Sequence, residues 1–197
     1  MPRRYVLYRG TAIALRFAHR PSVDFDFDFF AHDSLDHREL ETAVPFVRDA
    51  AVLDESADTR TILVKRTSGE IKVSFFGGIR FGRVGSPEAT EDGVLRVAST
   101  IDLAGTKIKA LLQRVEAKDY LDIAAMLDHR IALQDILGST RALFGAPFNP
   151  VIAQKSLCFF EGGDLDRLDA RVRAQLLAAA GHDVTPSPLA LASARLD

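Results

Sequence analysis

Residues 19–30 read HRPSVDFDFDFF, and their interpretation decides the fold. Asp24, Asp26 and Asp28 alternate with phenylalanines, a period of two that marks a strand with two unlike faces. Val23, Phe25, Phe27 and Phe29 share the face that enters a core. The three carboxylates share the other face, about 6.5–7 Å apart at successive positions. Like charges that close repel unless something neutralises them. A hard divalent cation such as Mg²⁺ does so, taking carboxylate oxygens and completing its shell with water and phosphate. A solvent-facing acidic sheet edge, a device against aggregation, fits the same residues.

Just upstream lies Arg9-Gly10-Thr11, followed by the helix-like run TAIALRFA (11–18). A glycine and a hydroxyl residue at a helix start offer backbone N–H groups and the helix dipole to a phosphate. A glycine, a short helix and then paired aspartates on a strand form a far more specific pattern than any one of these features.

The chain around this pattern is that of an ordinary globular protein. Hydrophobic residues make up 47% and charged residues 26% of 197 positions, enough for one substantial core or for one core plus a helical appendage. A net charge of −2 excludes a protein-wide positive field for nucleic acid. Arg3, Arg4, Arg9, Arg16 and Arg20 are nonetheless bunched near the start, where they read as a solvated surface or as phosphate ligands. The single cysteine, Cys158, rules out an internal disulfide and a cysteine-based zinc cluster, and its apolar neighbours predict burial. His32, His37, His129 and His182 show no metal-ligand spacing and read as surface or capping residues. MPRRYVLYRG lacks the apolar run of a signal peptide, and no stretch approaches the roughly 20 apolar residues of a membrane span, so a cytoplasmic protein without membrane partners is expected.

Periodicity predicts a strand at 4–8, the helix at 11–18, the alternating strand, and a helix from Asp36 stopped by Pro45. Strands follow in AAVLDE, RTILVKR and EIKVSFFGG, with a last one near Val94 to Ala98. After residue 100 the texture is helical through IDLAGTKIKALLQRV, AKDYLDIAAMLDH, IALQDILGSTRALFG, VIAQKSLCFFEGG and LDRLDARVRAQLLAAAG. Gly105 and Gly138 are weak points within those helices, and the glycines at the ends of the last two suit C-terminal caps. The expected organisation is an α/β core over 1–100, a helical region over 101–181 and a loose tail over 182–197. In the helix around Lys107, the apolar stripe is Ile101, Ala104, Ile108, Leu111 and Leu112, with Lys107 on its flank. In the next helix Asp119 and Asp122 share a side, and Asp122 lies in an apolar segment where a carboxylate needs a partner. Structural salt bridges, Lys107–Asp122 or Lys118–Asp122, are the alternative reading of these residues.

GTAIALRFAHRPSVDFDF resembles the opening motif of the AbiEii/AbiGii toxin family, a branch of the DNA polymerase β-like nucleotidyltransferase superfamily. DLAGTKIKALLQRVEAKDYLDIAAML resembles that family's second signature, a lysine-bearing helix followed by KDxxD. Together they cover roughly two-thirds of the chain. The resemblance implies an α+β fold, with a nucleotidyltransferase-like mixed sheet flanked by helices and followed by a helical C-terminal half. It implies that Asp24 and Asp26 bind Mg²⁺, that Gly10, Thr11, Arg20 and Ser22 contact a nucleoside triphosphate, and that Lys107 and Asp122 belong to the active site. It further implies transfer of a nucleotide to an RNA end (such as that of tRNA) or a protein hydroxyl, and a separately encoded antitoxin.

The match has departures. Arg9 replaces the first glycine of the family's usual pair, and an arginine lacks glycine's backbone freedom. The aspartate run is one step long, so alignment from its end selects Asp26 and Asp28. Ser74 stands in EIKVSFFGG, on one face with Glu70 and Lys72, where many relatives place a further carboxylate. Arg9 and Ser74 favour the alternative of a catalytically degenerate nucleotide-binding or partner-binding module with the same fold.

Overall fold

A computed structural model describes residues 1–19, 27–67 and 69–197. Arg20, Ser22, Asp24 and Asp26 lie outside the described residues. The chain divides into two compact units, Met1–Ser99 with Ser193–Asp197, and Thr100–Ala192.

The first unit is built on a mixed sheet of seven strands in the order β3-β4-β5-β2-β1-β7-β6. These are β1 (Val6–Tyr8), β2 (Phe27–Phe30), β3 (Ala51–Ser56), β4 (Thr59–Arg66), β5 (Gly69–Phe76), β6 (Glu88–Ala89) and β7 (Arg96–Val97). Strand β2 pairs antiparallel with β1 and parallel with β5, so it is an interior strand. This overturns the acidic-edge reading for the described end of the run. Asp28 is only 6% exposed in the middle of the sheet, where an unneutralised charge is costly.

Alternation explains the burial. In β4, Arg60, Ile62 and Val64 are buried while the residues between them are not. Phe29 stacks on Phe75, which meets the edge of Tyr5. Phe30 shares Asp28's face and stacks on Tyr8, so that face is less purely polar than its aspartates predict.

Helix α1 (Arg9–Phe17) follows β1 directly, and α2 (His37–Ala43) is capped by Asp36, whose side chain accepts from the Glu39 N–H at 3.0 Å. Pro45 does not only stop α2. It opens a further short helix, α3 (Pro45–Asp49), at the first position, where a missing N–H costs nothing.

The second unit contains α4 (Thr100–Leu111), α5 (Ala117–Asp128), α6 (Leu133–Phe144), α7 (Pro150–Leu157) and α8 (Ala170–Ala180) around Leu103, Ile108, Ile123, Met126 and Ile136. The fold is therefore α+β with a helical C-terminal half. LDRLDARVRAQLLAAAG is not one helix: a single 3₁₀ turn at Leu165–Arg167 precedes α8, which starts after Asp169 accepts from the Val172 N–H at 2.8 Å. Helix α7 ends before Cys158, which is half-buried rather than enclosed. Gly105 and Gly138 are packing devices, not weak points. A Cβ on Gly105 would lie 2.6 Å from Ser139 Oγ of α6, and one on Gly138 would lie 2.4 Å from the Ser187 carbonyl. Residues 182–192 form no regular element, yet Ser187 N–H donates to Gln134 and the Gln154 side chain bonds both ways to Val184.

Candidate active site

In the first unit, β1 runs straight into α1, and the junction residue Arg9 has φ +65°. The backbone thus holds the left-handed conformation that favours glycine, at a cost of about 1–2 kcal/mol for a residue with a Cβ. Its half-exposed guanidinium lies 3.5 Å from Asp28 Oδ2 and over the rings of Phe30 and Phe76, with centroids at 5.4 and 4.9 Å. Gly10 and Thr11 follow within the first turn of α1, and Thr11 is buried.

Strand register places Asp28 opposite Tyr8 on β1 and Ser74 on β5. Thr61 continues the row on β4, its hydroxyl donating to Ser74 Oγ at 3.2 Å. From Tyr8 to Thr61 this row carries one carboxylate, Asp28, with a hydroxyl at Ser74, and beyond Thr61 it ends on the exposed Asp54 of β3. Among the described residues no three His, Cys, Asp or Glu side chains gather as a metal cluster. Asp28 brings a carboxyl group, the kind of oxygen ligand a hard cation takes, nearly sealed and with the Arg9 guanidinium 3.5 Å away.

Other arginines of the basic bunch serve the fold. Arg4 pairs with Glu39, and Arg16 bonds both Glu88 and the Ala98 carbonyl.

In the second unit, α4 and α5 form a buried ionic cluster. Lys107 Nζ, on a side chain 4% exposed, lies 2.8 Å from Asp119 Oδ1 and 2.8 Å from Asp122 Oδ2, both on fully buried side chains. Arg114 caps the cluster, its Nε and Nη2 donating to the two oxygens of Asp119 at 2.8 and 3.1 Å. Two cations thus meet two anions. Burial is the largest single influence on Asp119 and opposes its ionisation. The hydrogen bond from Arg114 and the charge and hydrogen bond of Lys107 together outweigh it and hold the carboxyl below its usual range. Asp119 in turn raises Arg114 further above its already high value.

Lys107 and Asp122, picked out from the sequence, are in direct contact. Lys118 is not Asp122's partner; it pairs at the surface with Glu116 at 2.8 Å. Asp119 and Arg114 are the additions. Their sequence signal was the i,i+3 aspartate pair and an arginine two turns beyond Lys107.

Residues 4–189 match the family model described as nucleotidyl transferase AbiEii toxin, type IV TA system. A protein of Aquifex aeolicus (strain VF5), described as uncharacterized, is 30% identical over 159 residues, covering 80% of this chain and 74% of its own. Among solved structures, MenT4, a nucleotidyltransferase toxin from Mycobacterium tuberculosis H37Rv, superposes with a TM-score of 0.50. The superposition covers 88% of this chain and 79% of that one at 14% identity, a likeness of fold.

Proposed function

From the premise that this chain belongs to the AbiEii family of nucleotidyl transferase toxins of type IV toxin–antitoxin systems, we propose that it moves a nucleotide from a nucleoside triphosphate to an RNA end or a protein hydroxyl. Asp24 and Asp26 would hold Mg²⁺, with Asp28 at the interior end of the same strand run. Bound there, Mg²⁺ supplies neutralising charge and alignment to the triphosphate.

The chain's own residues do the rest. Gly10, Thr11, Arg20 and Ser22 bind the phosphates, and Arg9, which keeps its own backbone N–H, adds a guanidinium. The acceptor hydroxyl oxygen bonds to the α-phosphorus, the bond from that phosphorus to the bridging oxygen breaks, and pyrophosphate leaves. The hydroxyl proton passes to water. Lys107 offsets charge that develops on the departing pyrophosphate, and Asp122 and Asp119 orient Lys107. Such transfer is largely alignment and charge neutralisation, which suits a lysine held by two carboxylates.

The observation that carries this reading is the Lys107–Asp122 contact, formed by two residues singled out for their place in the family's second signature. The setting would be the cytoplasm, with a cognate antitoxin as partner. No helix among the described residues is long and apolar enough to cross a membrane.

The test uses purified protein, Mg²⁺, each α-labelled nucleoside triphosphate and total cellular RNA. Label entering RNA or the protein, lost in Asp26→Asn with the fold intact, is the expected result. Mg²⁺-dependent triphosphate binding without label transfer would instead identify the degenerate module to which Ser74 and Arg9 point.

A further inference from the structure

The second unit carries an open groove of about 420 Å³ between the C-terminal end of α4, the start of α5 and α7. Its volume lies in the range of about 300–1,000 Å³ typical of small-ligand sites. That suits a terminal nucleotide better than a folded partner. Leu111, Val115 and Ile152 give it an apolar floor, and Phe159 stands at its rim with 55% of its surface exposed. Val115, Ile152 and Phe159 are all exposed and share this groove, and it is apolar surface gathered in one place that calls for an occupant.

Charge narrows the choice. Arg114 and Lys155 line the groove. Among the described residues no carboxylate lines the groove, and Lys155 has no acidic side chain within ion-pair distance. Arg114 spends its Nε and Nη2 on Asp119, has Glu116 Oε2 3.5 Å from its Nε, and still keeps 44% of its side chain exposed. A flat aromatic face beside an unpaired lysine and a part-exposed arginine is the pattern of single-stranded nucleic-acid sites, where bases stack and cations follow the phosphates. A peptide would use the apolar floor but gain little from two cations. Arg114 also joins the groove to the Lys107 cluster through Asp119, so an anion bound in the groove acts on a residue that touches the reaction's lysine.

We propose that this groove binds the single-stranded end of an RNA acceptor, with Phe159 as the stacking platform and Lys155 and Arg114 on its phosphates. The proposal rests on the nucleotidyltransferase reading for its purpose, but binding can be measured without turnover.

The experiment uses the full chain and a fluorescein-labelled single-stranded RNA 12-mer with a free 3′-hydroxyl, followed by anisotropy with no triphosphate present. Phe159→Ala is expected to weaken binding roughly tenfold, the loss of one stacked base. Lys155→Gln is expected to lower the slope of log affinity against log salt by about 0.7, the loss of one phosphate contact on a single strand. Both positions are exposed, so both variants should keep the parent melting temperature. A dye-labelled triphosphate with Mg²⁺ is titrated in parallel. Weakened RNA binding with unchanged triphosphate binding supports the groove. RNA binding that both variants leave intact, or that the parent lacks, overturns it while leaving the triphosphate reading untouched. An unstructured acidic peptide that binds as tightly and loses as much in Phe159→Ala overturns the assignment to RNA. Absent triphosphate binding, in contrast, counts only against the donor site.

Discussion

Asp28 and Ser74 stand opposite each other across the parallel β2–β5 pair, at 6% and 3% exposure. A carboxylate at 74 would therefore meet a second one in a nearly sealed place, where two charges raise one carboxyl's pKa unless a cation intervenes. Ser74→Asp should melt below the parent without metal. Because its carboxyl titrates above the ordinary value, the deficit should be larger at about pH 8 than at about pH 5. Millimolar Mg²⁺ should restore much of it by binding only the folded form. Thermal melts with and without Mg²⁺ decide this, and a variant indifferent to Mg²⁺ would remove Asp28 from the metal's surroundings.

Arg9 holds a glycine conformation while its guanidinium reaches Asp28 and two rings. Arg9→Gly relieves about 1–2 kcal/mol of backbone cost and forfeits cation–π contacts worth about 0.5–1 kcal/mol at such exposure, along with a loose ion pair. Stability should stay within about 1 kcal/mol of the parent. Triphosphate affinity should fall, because the phosphates lose a cation. A variant that binds triphosphate as well as the parent would leave Arg9 without a role in binding.

The buried cluster makes a sharper stability prediction. Removing Asp119 leaves Lys107, at 4% exposure, with Asp122 as its one remaining carboxylate in the cluster, and Arg114 loses both of its bonds to that residue. Breaking a buried pair from one side costs about 3–5 kcal/mol, and Asp119→Ala should fall in that range. Lys118→Ala removes only a half-exposed pair with Glu116 and should cost less than about 1 kcal/mol. Urea unfolding of both variants checks the contrast, and equal costs would mean the cluster is not the stabilising feature its burial implies.

Acid should reveal the same residue. Asp119 titrates below its usual value in the fold, so its contribution is fully present above the unfolded value of about 3.9 and is lost as pH falls through the lower folded one. Stability should drop as pH falls below that unfolded value, and Asp119→Asn should flatten that limb of the curve. A variant with the parent's acid slope would place the titrating group elsewhere.

Much of this was legible in the sequence because the signals were local. Alternation marks β2, β4 and β5, and helical spacing with Lys107 and Asp122 marks α4 and α5. What escaped depends on contacts distant in sequence. Nothing in VDFDFDF says that both edges of the strand are paired, which is why an acidic edge remained a fair reading of it. The two-residue β6 exists only as the partner of β7, and strands so short have no periodicity to read. From the sequence Asp119 reads only as sharing a side with Asp122; Lys107 and Arg114 close on it from the preceding helix and link.

Gly105 shows the same lesson in energetic form. By helix propensity alone, Gly105→Ala should gain about 1 kcal/mol. In the fold, the new Cβ would sit 2.6 Å from Ser139 Oγ, 2.9 Å from Leu143 Cδ1 and 3.1 Å from Thr140 N, and a backbone atom cannot rotate away. Overpacking of this kind costs about 1–3 kcal/mol and should win, so the variant is expected to melt below the parent. Ser139→Ala removes the nearest obstacle but also the 2.8 Å bond from Ser139 to the Ile101 carbonyl, so alone it should destabilise as well. Combined, the two changes should cost less than their sum, with a coupling of about 0.5–3 kcal/mol, because the clash and the hydroxyl disappear together. Strict additivity in the double-mutant cycle would mean that α4 and α6 do not approach at Gly105 as closely as the fold requires.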